Sequence, residues 1–262
     1  MFAAMMSGLT GRKGRYDVRF AATPADVEAA QRLRYLAFVA RRGPGAVDPK
    51  PDASGLDGDD FDALCRHVLI EDRKSGQLVC TFRIQDFHGG AEVSRSYSAQ
   101  YYGLEALETY TGRMLEMGRF CVHPEWHDGD ILRVAWGAMT AYVDENGVEL
   151  LFGCSSFDGT DWLAHADALA MLKHRHIGPQ HWLPRVKAPN VFKFAARLRR
   201  KPDAKRAALA MPPLLKTYLM MGGWVSDHAV VDPHLGTMHV FTGVEIALIP
   251  PARKKLLRAV AL

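Results

Sequence analysis

The segment Glu116-Met117-Gly118-Arg119-Phe120-Cys121-Val122-His123-Pro124 puts a carboxylate and a guanidinium three residues apart in an apolar run. A carboxylate at a buried strand end is pushed towards protonation and can take a proton from an amine. An arginine holds another carboxylate through two parallel hydrogen bonds. Strict alternation along a strand turns Glu116 and Arg119 to opposite faces, and a bulge at Gly118 would bring them to one. Arg34 and Arg83 are further candidates for gripping a substrate carboxylate. Asp59 and Asp62, spaced as D-x-x-D, would hold an ammonium group or pin the loop before them. The competing reading is an ion pair for Glu116 and Arg119, and a structural network for Arg34, Asp59, Asp62 and Arg83, because buried charges need partners anywhere.

Other reactive residue types carry less. The cysteines Cys65, Cys80, Cys121 and Cys154 form no C-x-x-C pair and suit a reducing cytoplasm, and Cys121 and Cys154 read as small buried hydrophobes. His174, His176 and His181 do not share a helical face, so no metal is expected. Ser155-Ser156 ends an apolar strand and lines a substrate path or simply makes a turn.

These residues need elements to position them. A strand is expected over Tyr16–Ala21, then a helix capped by Thr23-Pro24 and running to about Val39. Arg42 to Gly58, rich in glycine, proline and aspartate, reads as a long loop. A hairpin of His67–Glu71 and Leu78–Ile84 follows, then a short helix around Ala99–Leu107. The strand Met114–Val122, a helix from Gly129 to Glu145 stopped by Asn146-Gly147, the strand Val148–Phe157 and a helix over Asp161–Lys173 form the centre. A helix over Leu214–Met221 and strands over Trp224–Val231 and Thr237–Ile249 close the pattern. Such alternation argues for a mixed sheet covered by helices. The expected organisation is a flexible leader (1–15), one domain (16–250) with a basic insertion at about 178–211, and a basic amphipathic tail (251–262).

At 48% apolar and 24% charged residues, the 262-residue chain is ordinary globular material. Nothing reads as a signal peptide or a span, so a cytoplasmic place is expected. The formal charge is only +4, yet Arg197, Arg199, Arg200 and Lys201 crowd a stretch poor in acids. An acidic protein or anionic lipid at the inner membrane would suit that stretch. Nucleic acid is not expected, since no recognisable module accompanies the charge.

The order of Glu116–Pro124 and the helix after it resembles the GNAT superfamily of acyltransferases. The resemblance implies an α/β fold, with a GNAT-like mixed central β-sheet flanked by helices and a C-terminal extension here. In that fold the central strand splays from its neighbour, and the pantetheine arm of the acyl donor lies in the gap. Phe120, Cys121, Val122, Ser155 and Ser156 would line it. The GNAT pyrophosphate loop, Q/R-x-x-G-x-G/A, is replaced by Trp126-His127-Asp128-Gly129-Asp130-Ile131, whose aspartates would repel a diphosphate. A carrier protein, which presents a single phosphodiester, suits it better.

Arg34, Phe38, Asp59, Asp62, Arg83, Glu116 and Arg119 resemble the polar set of acyl-homoserine-lactone synthases. Arg41-Arg42-Gly43-Pro44 lacks the tryptophan those enzymes carry, which argues against S-adenosylmethionine. From Tyr16 to about Leu257 the chain is similar to the L-ornithine Nα-acyltransferases. The carrying segments are Phe61–His67, Ser96–Tyr102, Met114–Pro124, Leu151–Phe157, Pro212–Leu215 and Gly222–Val225. The resemblance implies transfer of a 3-hydroxy fatty acyl group from acyl carrier protein to the α-amine of L-ornithine, with Glu116 and Arg119 catalytic. No cofactor beyond the carrier's phosphopantetheine thioester is implied, and Arg197, Arg199, Arg200 and Lys201 would dock the carrier. Transfer to glutamine, an acetyl-coenzyme A-dependent enzyme, and a non-catalytic carrier- or lipid-binding protein are the alternatives.

Overall fold

Thr23 starts the first helix as the sequence predicts. Its side chain accepts from the Asp26 amide at 3.2 Å, and the Asp26 carboxylate accepts from the Thr23 amide at 3.0 Å. The structure, a computed structural model, describes residues 11–40 and 54–260. Most of the leader, Arg41-Arg42-Gly43-Pro44, most of the long loop and the last two residues lie outside that description.

The chain opens with β1 (Gly11–Lys13), β2 (Tyr16–Phe20) and α1 (Pro24–Phe38), then the hairpin β3 (Arg66–Asp72) and β4 (Leu78–Phe87). Short turns and β5 (Tyr102–Gly103) precede β6 (Arg113–Val122), α2 (Gly129–Asn146), β7 (Val148–Asp158) and α3 (Ala166–Arg175). Next come β8 (Arg185–Val186), β9 (Val191–Phe192), α4 (Phe194–Arg197), α5 (Ala204–Ala210) and α6 (Pro213–Met220). The chain ends with β10 (Trp224–Val225), β11 (Ala229–Asp232), β12 (Thr237–Glu245) and α7 (Pro251–Val260).

The main sheet runs β1-β2-β3-β4-β6-β7-β12-β11-β9, with β10 also on β12. Among the described strands of this sheet, β6 and β7 are the one parallel pair, joined by the crossover helix α2. Alternation sorts the side chains. Leu115, Met117 and Leu151 face the helix α2, while Met114, Phe152 and Phe241 face the irregular segment between β4 and β6.

Four expectations change. No continuous helix forms over Ala99–Leu107; two 3-10 turns, Ser98–Gln100 and Glu105–Leu107, flank β5. Tyr102 is fully buried there, its hydroxyl donating to the His239 carbonyl at 2.8 Å, and Gly103 enters the small sheet with β8. That tether and the glycine override helix propensity. Trp224–Val231 is two strands, because the Ser226 hydroxyl replaces a ladder partner: it accepts from the Phe241 amide and donates to the His228 carbonyl. The last strand stops at Glu245 in a 3-10 turn before Pro250. The basic stretch 178–211 is woven in, since β9 pairs with β11 and Phe194, Leu198 and Met211 join a buried cluster with α3. α7 lies on α2, where Leu257 meets the core and Arg258 grips Asp144 at 2.8 and 3.0 Å. No described helix is long and apolar enough to cross a membrane.

Candidate active site

The sheet forks at its parallel pair. β6 and β7 are in register only from Arg113↔Val148 to Glu116↔Phe152. Beyond that point β6 continues along β4, and β7 along β12. Gly153 sits at the fork, where a Cβ would come within 2.3 Å of the Met117 carbonyl oxygen. Backbone groups on the two facing edges have left the ladder, and a ligand can take the place of the missing strand.

A bulge shapes one edge of the fork. The β4–β6 register jumps from Thr81↔Cys121 to Arg83↔Gly118, so Arg119 and Phe120 oppose the single residue Phe82. Arg119 has φ 52°, alone among the described non-glycine residues in a positive φ. The bulge therefore falls just after Gly118 rather than on it. An arginine held there costs about 1–2 kcal/mol. Such strain persists where the surroundings fix it, often beside a functional site.

Between the diverging strands lies an inner cavity of about 260 Å³. Glu116, Arg119, Tyr97 and His239 stand among its polar walls, with Phe38, Phe120, Leu214 and Leu215 among its apolar ones. An outer groove of about 1070 Å³ shares Phe38, Phe120 and Ser156 with it and adds Cys121 and Val122. Ser155 also lines the inner cavity. The fork thus brings together Phe38, Glu116, Arg119, Phe120, Cys121, Val122, Ser155 and Ser156.

Glu116 is 5% exposed and holds the turn above the cavity. Its carboxylate accepts from the Tyr97 amide at 2.8 Å, the Ser98 amide at 2.8 Å and the Ser98 hydroxyl at 2.5 Å. Burial pushes its pKa up, against the pull of the Ser98 and Tyr97 donors. It makes no ion pair with Arg119.

The remaining charges find one another. Arg34, 1% exposed, binds Asp62 through two bonds of 2.7 Å, reaches the Asp57 carboxylate at 3.0 Å, and donates to the Asp57 carbonyl. Arg83 bridges Asp59 at 2.5 and 2.8 Å and Asp62 at 2.6 Å. Gln31 adds a donor to Asp62 at 2.8 Å. Burial opposes ionisation of Asp62, but Arg34, Gln31 and Arg83 outweigh it and hold its pKa well below the usual range. Arg34 and Arg83 are thus committed to aspartates, the structural reading of these four residues, and neither stands in the cavity wall.

Arg119 differs. Its Nη2 donates to Asp59 at 3.1 Å, while Nη1 stands 3.6 Å from Asp57. Nε and Nη1 are buried without a hydrogen-bond partner. This guanidinium is anchored by Asp59 and Asp57, belongs to the cavity wall, and keeps N–H donors whose hydrogen bonds are unmet. Burial disfavours its charge, but Asp57 and Asp59 keep it firmly protonated.

The remaining candidates lie apart from the fork or are chemically inert. Arg197, Arg199, Arg200 and Lys201 are exposed around the end of α4, with Arg200 paired to Asp167 at 2.8 Å. Burial raises the thiols of Cys65 and Cys121 to about 12, as inert hydrophobes require. At the N-terminus of α2, Asp128 accepts from the Asp130 amide at 2.9 Å and from the Tyr16 hydroxyl at 2.6 Å. A built-in carboxylate already occupies that helix end, where a diphosphate would otherwise bind.

Asp57, Gln31, Tyr97, Ser98, Thr237 and His239 were not singled out from sequence. Asp57 had a visible signal, the spacing D-G-D-x-x-D with Asp59 and Asp62. The others are set by tertiary packing.

A forked mixed sheet with a bulged strand and a capped crossover helix defines a GNAT-type acyltransferase. Residues 33–137 match the Acetyltransferase (GNAT) domain family. An L-ornithine N(alpha)-acyltransferase of Rhodobacter capsulatus is 36% identical over 86% of this chain and 88% of its own length. One of Brucella abortus is 32% identical over 89% and 85%. The chain belongs to the L-ornithine N(alpha)-acyltransferase family. Among solved structures, the AHL synthase LasI aligns over 95% of this chain and 98% of its own, at 14% identity and a TM-score of 0.47.

Proposed function

We propose that this enzyme transfers a 3-hydroxy fatty acyl group from acyl carrier protein to the α-amine of L-ornithine, giving lyso-ornithine lipid. The observation that carries the reading is the fork cavity, where Arg119, with unmet N–H donors, shares walls with Phe38, Phe120, Leu214 and Leu215. An amino acid brings a carboxylate for Arg119, and a fatty chain fits the apolar wall. Ornithine as the acceptor rests on the names of the relatives.

The thioester lies in the fork, its carbonyl oxygen towards backbone N–H groups at the bulge, which stabilise the oxyanion. Arg119 orients the acceptor so that its amine approaches the carbonyl carbon. The C–N bond forms, the C–S bond breaks, and the thiol leaves with a proton drawn from the amine. Glu116, its pKa raised by burial, takes that proton from the attacking nitrogen and passes it on to the departing sulfur. The reading needs no covalent enzyme intermediate, metal or resident cofactor. The carboxylate at the α2 N-terminus favours a carrier-bound donor over coenzyme A. Arg197, Arg199, Arg200 and Lys201 supply a cationic face for the acidic carrier, and α7 supplies one for anionic lipid.

Purified protein mixed with 3-hydroxyacyl-carrier protein and ornithine should release carrier thiol and a lipid of the summed mass. Absence of thiol release with ornithine would end the reading. A higher kcat/KM with the matching coenzyme A thioester would replace the donor.

A further inference from the structure

Two residues of β12 carry polar atoms that the fold leaves without partners. Thr237 and His239 stand two apart on the strand, so they share a face, and both line the inner cavity. His239 is 3% exposed. Its Nδ1 lies 3.1 Å from the Tyr102 hydroxyl, and that hydroxyl donates to the His239 carbonyl oxygen at 2.8 Å. A phenol has one proton, so with it on the carbonyl the Nδ1 must be the donor. The ring is therefore held as the Nδ1–H tautomer, and Nε2 keeps its lone pair. That Nε2 is buried with no hydrogen-bond partner, as is the Thr237 hydroxyl.

Unmet buried polar groups are rare because each forfeits its bond to water. Two other polar groups of the cavity are occupied: Glu116 accepts three donors, and the Ser155 hydroxyl accepts from Thr242 at 3.0 Å; Arg119, with unmet donors, is assigned to the acceptor's carboxylate. Burial drives the His239 imidazolium pKa down to about 4, although Asp232 nearby opposes the shift. At neutral pH the ring is uncharged, an acceptor suited to a neutral donor and poorly suited to holding a proton.

The register places the pair beside the substrate path. His239 is opposite Ser156, and the parallel ladder that sets Phe152 beside Glu116 brings Ser156 level with the bulged end of β6. We propose that His239 Nε2 and the Thr237 hydroxyl bind a hydroxyl group on the acyl chain, the imidazole accepting its proton and the threonine completing its bonds, so that this pair selects hydroxylated donors. Tyr102 is the positioning residue that fixes the tautomer. The inference rests on the acyl-transfer reading of the same cavity.

The test compares kcat/KM for 3-hydroxyacyl- and unsubstituted acyl-carrier protein of one chain length, with ornithine saturating. The wild type should favour the hydroxylated donor by about 10- to 100-fold. In His239→Phe the ratio should fall towards one, and in the near-isosteric Thr237→Val it should fall several-fold. A general loss of structure would lower both rates and leave the ratio standing. If the wild type discriminates and both variants keep the full ratio, the pair is not the selector, while the acyl-transfer reading stands. If His239→Phe does not fold, Thr237→Val and Tyr102→Phe decide by the same ratio. Equal use of both donors by the wild type overturns the selector and the 3-hydroxy donor together. Transfer from neither donor removes the acyl-transfer reading itself.

Discussion

Asp62→Asn tests whether the aspartate–arginine network is structural. Asp62 accepts two bonds of 2.7 Å from Arg34, one of 2.6 Å from Arg83 and one of 2.8 Å from Gln31. Asparagine keeps one acceptor oxygen and turns an amide N–H₂ towards a guanidinium. Arg34, 1% exposed, is then left with less compensation for a charge it cannot hydrate. Removing one partner of a buried pair costs about 3–5 kcal/mol. At about 2–4 °C per kcal/mol for a chain of this size, the melting midpoint should drop by roughly 6–20 °C. Thermal and urea melts at neutral pH measure it. Removing both charges, as Arg34→Met with Asp62→Leu, should cost less than the two single losses summed. The pH dependence has a definite sign. The folded pKa of Asp62 lies below its unfolded value, so its contribution is full above about pH 4 and is lost as pH falls towards the folded pKa. Asp62→Asn should therefore flatten the acid limb of the stability profile. A loss under about 1 kcal/mol with an unchanged acid limb would refute the structural assignment and return Asp62 to substrate binding.

Two further outcomes are expected. Arg119→Met should raise the acceptor KM by about 10- to 100-fold, the worth of a charge-assisted hydrogen bond; a KM unchanged in steady-state kinetics would remove Arg119 from acceptor binding. Gly153→Ala should destabilise by about 1–3 kcal/mol through the 2.3 Å clash with the Met117 carbonyl and should reduce turnover; a variant with wild-type melting and rate would show that the fork tolerates spreading there.

The central elements were legible because their signals are local. Asn146-Gly147 does end α2, with Gly147 at φ 61°, and the proline after His123 does mark the end of β6. The fork was anticipated through resemblance, not from periodicity, since a strand that loses its neighbour keeps its own pattern. The bulge position could not be read to the residue, because it depends on how Phe82 meets Phe120, a stacked pair at 5.4 Å. Tyr102 and His239 are 137 positions apart, and nothing in either segment announces that they meet. Arg34, Asp59, Asp62 and Arg83 were visible as charges, but their choice between substrate and one another depends on distances that sequence does not contain.

The fork has a mechanical consequence. The half-sheet ending in β6 and the half-sheet beginning with β7 share only the short ladder from Arg113 to Glu116. The far ends, near Val122 and Asp158, lie about 20 Å along the strands from that ladder. With such a lever arm, a rotation of roughly 5° about the ladder widens the mouth by about 1.7 Å while leaving the four ladder pairs intact. A slight twist between the two half-sheets, rather than a moving loop, is enough to widen or narrow the cleft.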